Sequence, residues 1–175
     1  MRRLLGLTFT LLFLASPARA AHLSLGANGA LMKGVSGRES FDLALSLPFD
    51  DALHRPGFRV GVADEHRNHE IFMDVGATVL KSSYEVYRSV TVTGNYQHSL
   101  KQEGSVTQYV TLGGGLTTQG VSARTDTRAV YGGGLGIRQT VADDHGSVRV
   151  ELRVERIADA MTLAGVKFGF DLWLK

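Results

Sequence analysis

Nine stretches of the chain alternate apolar and polar side chains with a period of two. The sharpest is SVRVELRVE (147–155), where Val148, Val150, Leu152 and Val154 interleave with Arg149, Glu151, Arg153 and Glu155. A strand sends successive side chains to opposite faces, so this segment has one oily face and one ionic face. HLSLGANGAL (22–31) groups Leu23, Leu25 and Ala27, and ESFDLALSL (39–47) groups Phe41, Leu43, Leu45 and Leu47. GFRVGVA (57–63) sets Phe58, Val60 and Val62 against Arg59. EIFMDVGATV (70–79) sets Ile71, Met73, Val75, Ala77 and Val79 against Glu70, Phe72, Asp74 and Thr78. The second half continues with SVTVTGNY (89–96), QYVTLGGGLT (108–117), AVYGGGLGIR (129–138) and, after 147–155, VKFGFDLWLK (166–175).

Polar or turn-rich breaks separate these stretches: GVSGR (34–38), FDDALHRP (49–56), DEHRNH (64–69), KQEG (101–104), QGVSARTDT (119–127), ADDHG (142–146) and ADA (158–160). No helical period intervenes, so the order reads as an antiparallel meander of strands. A barrel whose two ends lie on the same side of a membrane needs an even strand count. Eight is therefore expected, with 22–31 or 57–63 as the surplus segment.

The period alone does not say which face meets water. In a soluble barrel or sandwich the apolar face points inward, and in a membrane barrel it points to lipid. Residues 1–20 bear on the choice. Arg2 and Arg3 precede an apolar run over 4–14, and Ala18-Arg19-Ala20 closes the segment. That is the layout of a secretory signal peptide cleaved after about Ala20, and the run falls short of the roughly 20 residues of a spanning helix. Residues 21–175 then form one barrel domain. The formal charge of +2 largely belongs to the leader. Without Arg2, Arg3 and Arg19, the 19 Lys and Arg fall just below the 17 Asp and Glu, leaving a net charge of −1 and no case for nucleic acid. Cysteine is absent, so neither a disulfide framework nor thiol chemistry is available.

Glycine is abundant, with 21 residues, and Gly132, Gly134 and Gly136 lie opposite an apolar row. A narrow barrel interior needs such small residues beside large ionic ones. Together with YVTLGGGL (109–116), AVYGGGLGIRQTVADDHGSVRVELRVE (129–155) and the terminal FGFDLWLK, these features resemble the small bacterial outer-membrane β-barrel superfamily, the opacity-protein and OmpA/OmpX-like barrels. The chain departs from that family in ending Leu174-Lys175 and in carrying a single Trp. The resemblance implies an all-β, antiparallel, up-and-down transmembrane β-barrel in the outer membrane of a Gram-negative cell. It also implies contact with lipid and lipopolysaccharide, and with the barrel-assembly machinery during insertion.

On that reading the valines of 147–155 face lipid. Asp74, Arg138, Arg149, Glu151, Arg153, Glu155, Lys167 and Asp171 line the interior as an ion network, with opposite signs paired between neighbouring strands. An eight-stranded interior holds side chains and little else, so the network is expected to be a plug rather than a pore. Arg124 and Arg128, in the polar stretch 119–127 and just after it, are candidate contacts for lipopolysaccharide phosphates or an extracellular ligand.

Catalysis is not expected, nor a cofactor or metal. DEHRNHE (64–70) offers Asp64, Glu65, His66, His69 and Glu70 as ligand types, but His66 and His69 would share a face only on a helix. Asp143, Asp144 and His145 sit in a tight turn. Lipid A deacylases of this size use a His-x-Ser pair on a late strand. VRVELRVERI carries no such pair, and Ser147 is the nearest serine. The expected role is structural or interactive. The competing expectation is a soluble periplasmic β-barrel or sandwich enclosing a lipid-like ligand in an apolar interior.

Overall fold

The computed structural model describes residues 22–35, 53–81, 86–121, 124–141 and 145–174. They form eight antiparallel strands: β1 (His22–Val35), β2 (Leu53–Ala63), β3 (His69–Lys81), β4 (Val86–Glu103), β5 (Val106–Val121), β6 (Arg124–Val141), β7 (Gly146–Ile157) and β8 (Thr162–Leu174). Each strand pairs with the next, and β1 pairs with β8 from Leu23↔Leu174 to Val35↔Thr162, closing the barrel without an edge.

The count of eight corrects the choice of surplus segment. Both 22–31 and 57–63 lie within strands, β1 and β2, and β1 is the strand that closes the barrel. The ninth candidate, 39–47, lies outside the described residues. Several of the expected breaks are also strand in part, among them 101–103, which extends β4 against β5. β2 begins at Leu53 despite Pro56, because there β2 is laddered to β1 alone and its pairing with β3 begins only at Gly57. The stretch 119–127 continues the β5–β6 ladder through Gly120↔Thr125 and Val121↔Arg124, with the hydroxyls of Thr118 and Thr127 3.1 Å apart.

The start of β1 and the end of β8 lie at one end of the barrel, the termini end, together with the β2–β3, β4–β5 and β6–β7 connections. Tight geometry appears where expected: Gly104, between β4 and β5, takes a left-handed φ of 59°, which costs glycine little. β4, β5 and β6 are longer than the other strands, and residues 100–106 around this turn are exposed throughout.

The apolar rows face outward. Leu112, Leu135 and Phe58 are 63%, 60% and 51% exposed, and Val148, Val150, Leu152 and Val154 are all exposed. The inward rows are buried and largely polar. An exception caps the mouth opposite the termini, where Ala30, Met32, Val130, Ile157 and Leu163 cluster with Leu53 packed against them.

Candidate functional site

Between that apolar cap and the termini end, charged side chains fill the interior. All eight residues named from the sequence, Asp74, Arg138, Arg149, Glu151, Arg153, Glu155, Lys167 and Asp171, are buried. Three that sequence reasoning missed join them: Arg55, Arg59 and Glu70. Six cations thus face five carboxylates in these ion pairs. The missed signal was the alternation itself. Arg59 opposes Phe58 and Val60, and Glu70 opposes Ile71, so both share the inward parity of Asp74.

Toward the termini, Arg59 Nη2 lies 2.6 Å from Glu70 Oε2, and Arg149 Nε donates to Asp171 Oδ2 at 2.9 Å. Ser24 donates to the other Glu70 oxygen at 2.8 Å, and the Arg59 guanidinium stacks 3.3 Å above the Phe72 ring. Arg138 lies directly opposite Arg149 in the β6–β7 ladder, a like-charge pair. It turns away to donate to the Arg67 carbonyl at 3.1 Å, with Glu70 at 3.8 Å.

Higher in the barrel, Arg153 holds both carboxylates of its own strand. Its Nη1 is 2.9 Å from Glu151 and its Nε 2.8 Å from Glu155, while Nη2 donates across the interior to Asn95 at 2.7 Å. Thr111 donates to Glu151 at 2.8 Å. Lys167 pairs with Asp74, which also accepts from Asn28 at 2.9 Å. Arg55 reaches Glu155 at 2.6 Å. Beside this layer a small cavity is lined by Asn28, Arg55, Asp74, Glu155 and Lys167 among others.

The pairing differs from the expectation that neighbouring strands supply the partners. Arg59–Glu70 and Arg149–Asp171 follow it, but Arg153 pairs along its own strand. Lys167–Asp74 and Arg55–Glu155 join strands that are not adjacent, reaching across the interior from β8 to β3 and from β2 to β7. Glycines clear space for the inward side chains, Arg55 among them, whose Cδ a Cβ on Gly76 would meet at 2.8 Å. A Cβ on Gly134 would collide with the Glu151 carboxylate, one on Gly136 with the Tyr109 ring, and one on Gly169 would lie 2.6 Å from Arg149 Nε.

The other candidates separate. Arg124 opens β6, and Arg128 is held at the rim by Asp126 at 2.6 Å and by the Asp159 carbonyl at 2.6 Å. In 64–70, Asp64 accepts the Asn68 N–H, Glu70 turns inward to Arg59, and His69 turns outward to Tyr96. No group of three or more metal-ligating residues converges among the described residues. Ser147 faces inward and accepts from Trp173 Nε1 at 3.2 Å. His145 precedes β7, while Asp143 and Asp144 lie outside the described residues.

No protein-family model matches the sequence, and no curated protein matches it. The fold does have solved counterparts. Neisserial surface protein A superposes with a TM-score of 0.65 at 11% identity, covering 88% of this chain and 97% of its own. Ail of Yersinia pestis, solved with the heparin analogue sucrose octasulfate, gives 0.56 at 12% identity over 87% of this chain and 97% of Ail. The N-terminal β-barrel domain of Pseudomonas aeruginosa OprF gives 0.53 at 11% identity over 86% and 97%. The chain has the fold of the small eight-stranded outer-membrane β-barrels. In such a barrel the ionic face belongs inside and the apolar face outside, as found here. The expectation of an apolar interior enclosing a lipid-like ligand is overturned, because the interior is ionic along most of its length.

Proposed function

We propose that the chain is a non-catalytic barrel of a bacterial outer membrane, exported through residues 1–20. Its interior is a structural plug, and its rim meets the membrane surface. The observation that carries this reading is the inversion of its faces: exposed leucines, valines and phenylalanines wrap the outside, while the inside is an ion network. Water would penalise such a wall and lipid favours it. The interior charges are engaged with one another rather than grouped around a substrate-sized cleft, which supports a structural role over a catalytic one.

Beyond the apolar belt, at the mouth away from the termini, Lys33, Arg88 and Arg156 continue the outward rows of β1, β4 and β7. Cations at that height suit the phosphates of lipopolysaccharide. They add to Arg124 and Arg128, the candidates named from the sequence, of which Arg128 is also engaged by Asp126 and Asp159.

The test is heat-modifiability in SDS gels. Unboiled protein from the outer-membrane fraction should migrate differently from boiled protein, as a detergent-resistant closed barrel does. Recovery in the soluble fraction with no shift on boiling would overturn the reading.

A further inference from the structure

A second constellation lies on the outer wall, away from the ion network. His69 opens β3 and stands directly across the ladder from His98 on β4. The Ser99 N–H donates to the Asn68 carbonyl at 2.8 Å, so Asn68 and Ser99 form a hydrogen-bonded pair. Alternation then makes His69 and His98 a non-hydrogen-bonded pair, the kind in which cross-strand side chains stand closest. Their rings stack with centroids 4.9 Å apart at 27°. The Tyr96 ring also stacks with His69, 6.0 Å away at 20°, with its hydroxyl 2.6 Å from His69 Nδ1. His98 Nδ1 is shielded from solvent and has no hydrogen-bond partner.

We infer that His69 and His98 form a two-point site for a borderline divalent transition-metal ion such as zinc or nickel. Neutral imidazole is the favoured ligand for these ions. Two nitrogens bound to one tetrahedral ion at about 2.0–2.1 Å lie about 3.3 Å apart, so binding requires the two stacked rings to turn about their Cβ–Cγ bonds until their edges converge on the ion. The Tyr96 hydroxyl supplies the outer contact: when it accepts the proton of His69 Nδ1, the Nε2 lone pair is free for the metal. No third His, Asp or Glu converges on the pair among the described residues, so water completes the coordination and the site stays open to exchange. Along the chain the nearest histidine to His69 is His66, which would share its face only on a helix. The sheet pairs it with His98 instead.

The test uses the full, tag-free chain folded in detergent, with the other four histidines, His22, His54, His66 and His145, replaced by Gln. Folding of every variant is checked by the gel shift on boiling, and zinc binding is followed by isothermal titration. One equivalent of zinc is expected. Binding should fall to background in His69→Gln and equally in His98→Gln, and weaken about tenfold in Tyr96→Phe. If the four-Gln background does not fold, the two single substitutions in the wild-type chain must each remove one equivalent. Absence of zinc binding by the pair, or binding unchanged by either single substitution, would overturn the site and leave the trio an aromatic anchor at the edge of the belt.

Discussion

Arg59 and Glu70 are joined by a 2.6 Å ion pair whose side chains are 0% and 1% exposed, yet they are not ladder partners. In register Arg59 faces Asp74, and Glu70 faces Ala63. Arg59 reaches along β3 to Glu70, which leaves Asp74 for Lys167 from across the interior. The two pairs are therefore coupled by a choice of partner.

That coupling predicts a non-additive response. Arg59→Met leaves the buried Glu70 without its close cation, with only Arg138 at 3.8 Å, and should cost about 3–5 kcal/mol. Arg59→Met combined with Glu70→Gln should recover a large part of that loss, because no orphaned carboxylate remains at Glu70. Urea unfolding in phospholipid vesicles measures both. Trp173, the single tryptophan and buried near Arg138, supplies the fluorescence signal. Additive losses would show that the partners act independently.

The strands were legible in the sequence because one physical rule, alternation, governs every wall position at once. It even placed Arg59 and Glu70 on the correct face. The partners within that face were not legible. Lys167 lies opposite Glu151 in the ladder but binds Asp74, a partner on a non-adjacent strand that only the closed barrel brings within reach. Sequence distance carries no trace of such a crossing. Local composition also misled at 53–56, where Pro56 suggested a break but occupies a stretch of β2 with one ladder partner. The tract 39–47 has the same alternation as the strands and lies outside the described residues.

The glycines divide into those that clear backbone and those that do not. A Cβ on inward Gly115 would run into the Val92 carbonyl, which is fixed by the β4–β5 ladder. Gly115→Ala should therefore destabilise by about 1–3 kcal/mol or prevent refolding. Gly29 on β1 has nothing within 4 Å of that position, so Gly29→Ala should be neutral or stabilise by up to about 1 kcal/mol. Folded fraction on unboiled gels and urea midpoints give the comparison. Equal behaviour of the two variants would show that the interior is looser than this packing.

Arg128 ties the β6 rim to the β7–β8 turn through the Asp159 carbonyl at 2.6 Å, and Asp159 holds a left-handed φ of 55°. Arg128→Ala should loosen that turn alone. The expected result is faster proteolysis at 158–161 in intact vesicles, with an unchanged shift on boiling. A slower or absent refolding step would instead place Arg128 in the assembly of the whole barrel.

Leu152 offers the sharpest test of what surrounds the wall. It is 54% exposed at the middle of β7, between inward Glu151 and Arg153. In a protein surrounded by water, an exposed Leu→Arg change is usually worth within about 0.5 kcal/mol. In a bilayer, Arg at the midplane costs about 2–4 kcal/mol and much less near the interface. Leu152→Arg should therefore lower stability in vesicles by the larger amount, while Thr118→Arg, exposed near the far mouth of β5, should cost little. The gradient between the two positions matters more than either value. A flat response would mean that the apolar belt does not face lipid, whereas a steep one ties the alternation of 147–155 to the thickness of a membrane.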